Sequence, residues 1–504
     1  MPTLEYATNT KKFHRDIRKG LDARYILRSR KGTVPWGDNP DHKVFRNVLD
    51  YGAVGDGVTD DTKAIKLAMT DGKRCGVKCN GSTTKNAIVY FPPGTYLIST
   101  TIPVSFGTQV IGDANSRPTL GASKNFIGLG MLSTDEYTGA NGPGPDGNGQ
   151  EYYINTANFY WQIRNVIIDV TLTRDAQKVT CLHYQVAQAT SLQNVELVAA
   201  AGSSQTGMFA ENGSGGQISD VVFRSGATGI YGGSQQFTTQ RLSFDGCKSG
   251  VQVIWDWGWV WKSVTMSNVD VGFKLTSDDG SGSIGSISII DTSISNVGTA
   301  AIVISPPSSE IASGSTGIAL ENVALSGVAV TVQDTTGKTI LDASVSIIAQ
   351  WALGPTYGGS SDSRRFSSGE RFDNYRRQST LVDGDGMYFE RARPQYEDKS
   401  VGDFVHMKDF GATGDGSTDD TAAFQAALYA SQGKILFIDA GSYILTSTVT
   451  IPQGTKIIGE TWSHNPRVFL KVGNEGDVGN IEMQDLIFTN RGPTAGLILV
   501  EWNI

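Results

Sequence analysis

Between about residues 160 and 330, apolar and polar positions alternate in short β-branched runs separated by Gly-rich corners. The runs are Ile163–Ile168, Leu192–Leu197, Ile218–Phe223, Thr239–Phe244, Trp261–Met266, Ile284–Ile289 and Leu320–Leu325. Their third residues, Asn165, Asn194, Asp220, Arg241, Ser263 and Ser286, follow one another at steps of 29, 26, 21, 22 and 23. A longer step of 36 then reaches Asn322 and leaves room for a loop around Pro306 and Pro307. A period of two at this pitch predicts the coils of a parallel β-helix, in which each coil buries its apolar face against the next. A β-propeller would need four strands in each repeat of about 40 residues.

A duplication divides the chain. Val48-Leu-Asp-Tyr-Gly-Ala-Val-Gly-Asp-Gly-Val-Thr-Asp-Asp-Thr62 returns as Met407-Lys-Asp-Phe-Gly-Ala-Thr-Gly-Asp-Gly-Ser-Thr-Asp-Asp-Thr421, with Asp50 to Asp409 and Asp61 to Asp420 both 359 residues apart. Downstream, Gly94 matches Gly441 at an offset of 347, so the first copy carries 12 more residues, around Cys75 and Cys79. Each copy reads as strand, glycine turn, helix and strand, with Thr59, Asp60 and Asp61 capping a helix that begins near Thr62. The Asp cluster lacks the terminal bidentate Glu of a calcium loop. From about Gly354 to Lys399 the pattern dissolves into Gly, Ser, Arg and Asp, as expected of a long connection. The predicted organisation is therefore all-β: a divergent segment over 1–43, a first β-helix over 44–353, a connection over 354–400 and a second, incomplete β-helix over 401–504.

Composition narrows the function. Gly accounts for 60 of 504 residues, charged residues for 18%, and the net charge is −8. Mild acidity argues against nucleic acid, which demands concentrated positive charge, and weakly against polyanionic pectate; a neutral polysaccharide fits better. No apolar run is long enough to span a membrane. The first twenty residues contain no apolar h-region, so the chain as written has no secretory signal. Cys75 and Cys79 flank a short loop that a local disulfide would close, while Cys181 and Cys247 lie far apart without companion His and read as core thiols, not as zinc ligands. No metal and no cofactor is implied, and a monomer is expected.

Further motifs are Arg74-Cys-Gly with Cys79, His183-Tyr-Gln-Val-Ala-Gln-Ala-Thr190, Ala210-Glu-Asn-Gly-Ser-Gly-Gly216, Trp255-Asp-Trp-Gly-Trp-Val-Trp-Lys262, Trp351-Ala-Leu-Gly-Pro-Thr-Tyr357 and Arg491-Gly-Pro-Thr-Ala-Gly-Leu497. With the paired Asp-Phe/Tyr-Gly-Ala-x-Gly-Asp-Gly signatures, the chain resembles glycoside hydrolase family 55, fungal β-1,3-glucanases of the pectate-lyase-like superfamily, from about Val44 to Ile504. The resemblance implies two tandem right-handed β-helices and exo-cleavage of laminarin-like glucan with inversion, releasing glucose outside the cell. It carries the water-holding roles to Gln185 and Ser214. By themselves, Gln185 also fits an internal polar ladder, and Ser214 a turn residue in the sequon Asn212-Gly-Ser214. Trp255, Trp257, Trp259 and Trp261 recur every second residue, which on one strand places all four on one face, some of them toward a cleft where sugars stack. Asp256 and Lys262 stand beside them as candidates for sugar hydroxyls, and Tyr357 closes a further motif as a candidate substrate contact. The family's general acid is a glutamate whose segment falls beyond residue 504. Glu501 is the best pocket carboxylate left here, and Glu482 reads as an exposed strand residue. Those features suggest a truncated or degenerate copy, so a non-catalytic β-glucan-binding protein is the alternative. A pectin-acting enzyme is weakly supported, since Asp278-Asp279 stands alone.

Overall fold

A computed structural model describes residues 39, 41–77, 79–137, 151–174, 178–277, 284–307, 317–357, 364–372, 374–439, 441–459, 470–472, 477–486, 488 and 500–502. Two compact units divide the chain, one over Arg46–Pro394 and the other holding the residues from Gln395 onward. Both are parallel β-helices.

In the first unit the alternating runs become stacked coils with three inward columns of side chains. One column holds Val110, Ile163, Leu192, Ile218, Thr239, Trp261, Ile289 and Leu320 in consecutive register. A second runs through Leu197, Phe223, Phe244, Met266, Ile294 and Leu325. Within it Phe223 and Phe244 stack with centroids 4.5 Å apart. A third holds Leu182, Met208, Ile230, Val251, Phe273 and Ile302. Between the first two columns the backbone turns a corner, and that corner explains the polar third residue of each run. Asn165, Asn194, Asp220, Arg241, Ser263, Asp291 and Asn322 all have φ between 51° and 59°. Asn and Asp tolerate this left-handed region best among residues with a Cβ. Their side chains also bond from coil to coil, as Asn194 Nδ2 does to Asn165 Oδ1 at 2.9 Å and Asn322 Nδ2 to Asp291 Oδ1 at 2.7 Å. One coil differs from the sequence expectation: Ser286 pairs with Gly317, and the corner residue is Asp291. The strand there is long, Ser286–Ile304, and the alternation of Ile284–Ile289 places the expected corner five residues ahead of the break at Ile290-Asp291.

The last coil, Gly317–Ser326, is covered by antiparallel strand Ile347–Tyr357, which in turn pairs with Arg364–Arg371. The edge that a β-helix would otherwise expose is thereby paired. The segment expected to be a connection, 354–400, thus contributes strand Arg364–Arg371 and the end of strand Ile347–Tyr357 to the first unit. It then runs back across the outer face of the coils, tied by ions. Arg377 pairs with Asp291 at 2.5 Å and Glu321 at 2.8 Å, its guanidinium 4.1 Å from the Tyr388 ring centre. Glu390 pairs with Arg241 at 3.1 Å and Lys262 at 3.4 Å. Lys262 also pairs with Asp291 at 3.4 Å, which corrects its assignment to sugar hydroxyls.

The duplicated motif folds identically in both units. Asp61 accepts from Val54 N at 2.6 Å and Gly55 N at 3.1 Å; Asp420 accepts from Thr413 N at 2.7 Å and Gly414 N at 3.2 Å. Helices Thr62–Thr70 and Thr421–Ala430 follow. Of the residues expected to cap each helix, Asp61 and Asp420 therefore fold back onto the glycine turn, while Asp60 and Asp419 satisfy the helix start, accepting from Thr62 N and Thr421 N, both at 3.0 Å. Asp61 is buried. Its replacement by Ala is expected to destabilise the first unit by about 1.5–3 kcal/mol, read by chemical denaturation, because two N–H groups lose a charged acceptor.

In the second unit, strands Phe404–His406, Ile435–Ile438, Lys456–Gly459 and Glu482–Gln484 stack in parallel, as do Val449–Ile451, Leu470–Val472 and Val500–Trp502. Leu436, Ile438, Tyr443, Val449, Ile451 and Ile457 fill its core with Phe424 and Leu428 of the helix. Cys75 and Cys79 form the local disulfide, with Cα atoms 5.3 Å apart, and Cys181 and Cys247 are buried free thiols.

Candidate functional site

The outward residues of the first column line a groove. Gln162, Ser191, Gln217, Thr238 and Val260 occupy equivalent positions in five successive coils. Together with Tyr160, Gln188, Ser214, Gln236 and Phe237 they bound a cavity of about 730 Å³. Four amides and several hydroxyls offer both donors and acceptors, and no charged residue is among the lining. Tyr160, 40% exposed, is held at φ 69°. That conformation costs a residue with a Cβ about 1–2 kcal/mol, and such strain gathers at functional sites.

Ser214 lies in this groove. Its Oγ donates to Gln188 Oε1 at 3.0 Å, and its N–H to Val186 O at 3.1 Å. The flanking glycines are structurally required: a Cβ on Gly213 would collide with the Val186 carbonyl, and one on Gly215, at φ 103°, with the Gln236 carbonyl. The turn reading of Ser214 is therefore right about its backbone, and the hydroxyl still reaches the groove.

Gln185 immediately precedes Val186, so it and Ser214 sit on adjacent coils. Its backbone is fully engaged: the carbonyl accepts from Asn158 Nδ2 at 2.6 Å and Thr134 Oγ1 at 3.0 Å, and the N–H donates to Thr134 Oγ1 at 3.0 Å. Its side chain is 0% exposed, yet neither Oε1 nor Nε2 has a partner among the described residues. An internal ladder would satisfy that amide.

The tryptophans divide. Trp255 ends strand Ser249–Trp255, and Trp259 and Trp261 lie on the next strand, Gly258–Lys262, so the four do not share a face. Trp259 and Trp261 are buried, stacked 5.3 Å apart between Phe237 and Phe273. They belong to the core, which corrects their assignment to substrate: this coil is wide enough for two indoles, and Trp259 Nε1 finds a donor's partner in Ser234 O at 3.0 Å. Trp255 is half-buried and Trp257 is 65% exposed at the corner. Asp256, between them, is buried; its Oδ1 accepts from Gly285 N at 2.8 Å and its Oδ2 has no partner among the described residues. Burial pushes its carboxyl up to about 6, against the N–H groups of Gly285, Ser286 and Trp259. Tyr357, 72% exposed, stands at the end of strand Ile347–Tyr357 and does not line the groove. Glu501 pairs in register with Lys471, but its side chain lies outside the described residues, as do Asp278-Asp279 and the motif from Arg491 to Leu497. Glu482 is half-buried and accepts from Tyr396 Oη at 3.1 Å, where an exposed residue was expected.

The groove amides escaped sequence reasoning because outward positions of a coil carry no periodic signal beyond being polar. Gln188 alone lay in a quoted motif. Among the described residues, no group of three His, Cys, Asp or Glu is arranged to hold a metal, and no helix is long and apolar enough to cross a membrane.

A β-helix with this groove is matched by the family described as rhamnogalacturonase A/epimerase, pectate lyase-like, over residues 45–274 and 404–493. The chain belongs to this family. Among its relatives, the non-secreted LysM effector LysM19 of Penicillium expansum is 39% identical, over 94% of this chain and 39% of its own length. A probable glucan endo-1,3-β-glucosidase of Arthroderma benhamiae is 34% identical, over 94% of this chain and 66% of its own. A glucan 1,3-β-glucosidase of Cochliobolus carbonum is 36% identical, over 94% and 61%. The chain therefore spans between about two fifths and just under two thirds of these relatives. The resemblance to fungal β-1,3-glucanases read from the motifs agrees with two of the three names.

Proposed function

We propose that this protein hydrolyses β-1,3-glucan from the non-reducing end with inversion, releasing glucose from laminarin-like chains. The observation that carries the reading is the Gln185 amide, fully buried and unpartnered beside the Ser214 groove. Leaving both of its polar atoms unsatisfied costs about 1–3 kcal/mol each, so the site is built to receive a water or a sugar hydroxyl. Inversion needs a water held on the face of the sugar opposite the leaving oxygen, and an amide with a hydroxyl can orient its lone pair. The uncharged groove suits a neutral glucan better than a polyuronate. Tyr160 in the groove, and Trp257 at the corner before Gly258 of the lining, are exposed aromatic rings that suit stacking on glucose. By the family resemblance, Glu501 of the second unit carries a carboxylate role in the reaction. A polymer of this kind is met outside the cell, which is where we place the activity.

Glucose release from laminarin tests the reading. Ser214→Ala is expected to lower the rate about 10²-fold through misplacement of the water, and Glu501→Gln to abolish release. A second reading, glucan binding without cleavage, is favoured by the relative named as an effector and not as an enzyme. Calorimetric laminarin binding by a folded chain that releases no glucose would establish that reading and sink the first.

A further inference from the structure

Beside Gln185 runs a chain of hydrogen bonds that the groove does not use. Glu211 Oε1 accepts from Tyr137 Oη at 2.5 Å and lies 2.7 Å from His183 Nε2. Across the ring, His183 Nδ1 is 2.9 Å from Ser133 Oγ, which donates to the Asp135 carbonyl at 2.8 Å. A serine hydroxyl has one hydrogen to give. With it directed at Asp135 O, Ser133 must receive from Nδ1–H, and this sets the imidazole tautomer. His183 is buried between the rings of Tyr137, centroids 5.8 Å away, and Phe209, 5.5 Å away.

Glu211 Oε2 has no partner among the described residues, and the side chain is 14% exposed. His183 and Phe209 pair across adjacent coils, and Gln185 and Glu211 lie two residues further along each. Neighbouring strands are about 4.8 Å apart. Glu211 also stands three residues before Ser214. A carboxylate is thus fixed by one oxygen, and it stands on the coil adjacent to that of the unpartnered amide.

We propose that Glu211 accepts the proton of the attacking water, with His183 and Tyr137 as positioning residues that hold Oε1 and leave Oε2 for the reaction. This rests on the hydrolase reading above. The water oxygen bonds to the anomeric carbon as the glycosidic C–O bond breaks, its electron pair leaving with the departing oxygen. One water proton passes to Glu211 Oε2. On a glucan the departing oxygen is protonated by a carboxylic acid; a dinitrophenyl leaving group departs as the anion and needs no acid. The titratable groups around Glu211 are His183, Tyr137, Asp135 and Glu151, with Glu136 beside Ser133 and His183. Burial, then the Glu151 and Glu211 charges, push Asp135 up to about 8 against the N–H groups of Tyr152 and Tyr153, so it adds little negative charge at neutral pH. Burial and the bond to Glu211 raise the Tyr137 phenol well above its ordinary value, which keeps it a donor.

Glu211→Gln is expected to lower turnover of both laminarin and dinitrophenyl β-glucoside ~10²–10⁴-fold. Azide, a nucleophile with no proton to lose, should then restore turnover of the aryl glucoside and yield glucosyl azide of inverted configuration. Tyr137→Phe should lower the rate by about tenfold with no azide rescue, as a positioning loss. A folded Glu211→Gln protein that keeps its rate, or loses it without forming the azide product, would overturn the assignment while wild-type turnover stands. No wild-type turnover of either substrate would overturn the hydrolase reading and this inference with it.

Discussion

Gln185→Leu should leave the protein at least as stable as it is while lowering glucose release from laminarin by ~10²–10³-fold, the range seen when one preorganised hydrogen-bonding group is lost from a reacting centre. Two opposite effects follow from one geometry. Leucine fills nearly the same buried volume, and it removes a desolvated amide that the fold does not satisfy, so the cost in stability is nil or negative. The same amide is what a water or hydroxyl would bind. A structural ladder residue would behave in the reverse sense: its loss would unfold the coil and spare the chemistry of the remainder. Thermal melting and laminarin kinetics on a single preparation separate the two.

Asp291→Ala should be among the most destabilising single substitutions in the first unit, by about 3–5 kcal/mol in denaturant titration. The Asp291 side chain is fully buried, and it meets Arg377 at 2.5 Å, Lys262 at 3.4 Å, Asn322 Nδ2 at 2.7 Å and Tyr388 N at 3.0 Å. Removing it takes the shared buried partner from Arg377 and Lys262, which keep Glu321 and Glu390, and loosens the segment carrying Arg377 and Tyr388 from the coils. Alanine also suits the left-handed corner at φ 51° less well than Asp does. Asp291→Asn separates the terms, since Asn keeps the corner and loses only the charge. Burial opposes the charged form of Asp291, but Asn322, Arg377 and the Tyr388 N–H outweigh it and hold the carboxyl below the usual range. Its contribution is therefore fully present above a pH of about 4 and is lost as pH falls through the depressed folded value. The gap between wild type and Asp291→Asn should narrow on acidification through that window.

Much of this fold was legible because its signals are local and repeated. The duplicated Asp-Asp motif marks both units, and the polar third residue of each run marks the left-handed corner, from Asn165 through Ser263 to Asn322. Asp291 was missed because Ile284–Ile289 alternates as a coil strand does and set the expected corner at Ser286, five residues ahead of the real break at Ile290-Asp291. Ser214 and Gln185 were singled out through motif resemblance alone. Nothing in composition or spacing distinguishes a buried amide with partners from one without. The tryptophans misled for a related reason: alternation places residues on one face only while the strand continues, and the chain turns at Asp256 and Trp257. Glu211 sat inside a quoted motif, but its significance depends on Tyr137, 74 residues earlier in the chain, and no local pattern carries such a contact.

The most direct measurement is proton NMR of the first glucose released from laminarin, before mutarotation mixes the anomers. A water held opposite the leaving oxygen by the Gln185 and Ser214 site predicts the α-anomer from a β-linked chain. Release of the β-anomer, or no glucose from the folded protein, would contradict the account.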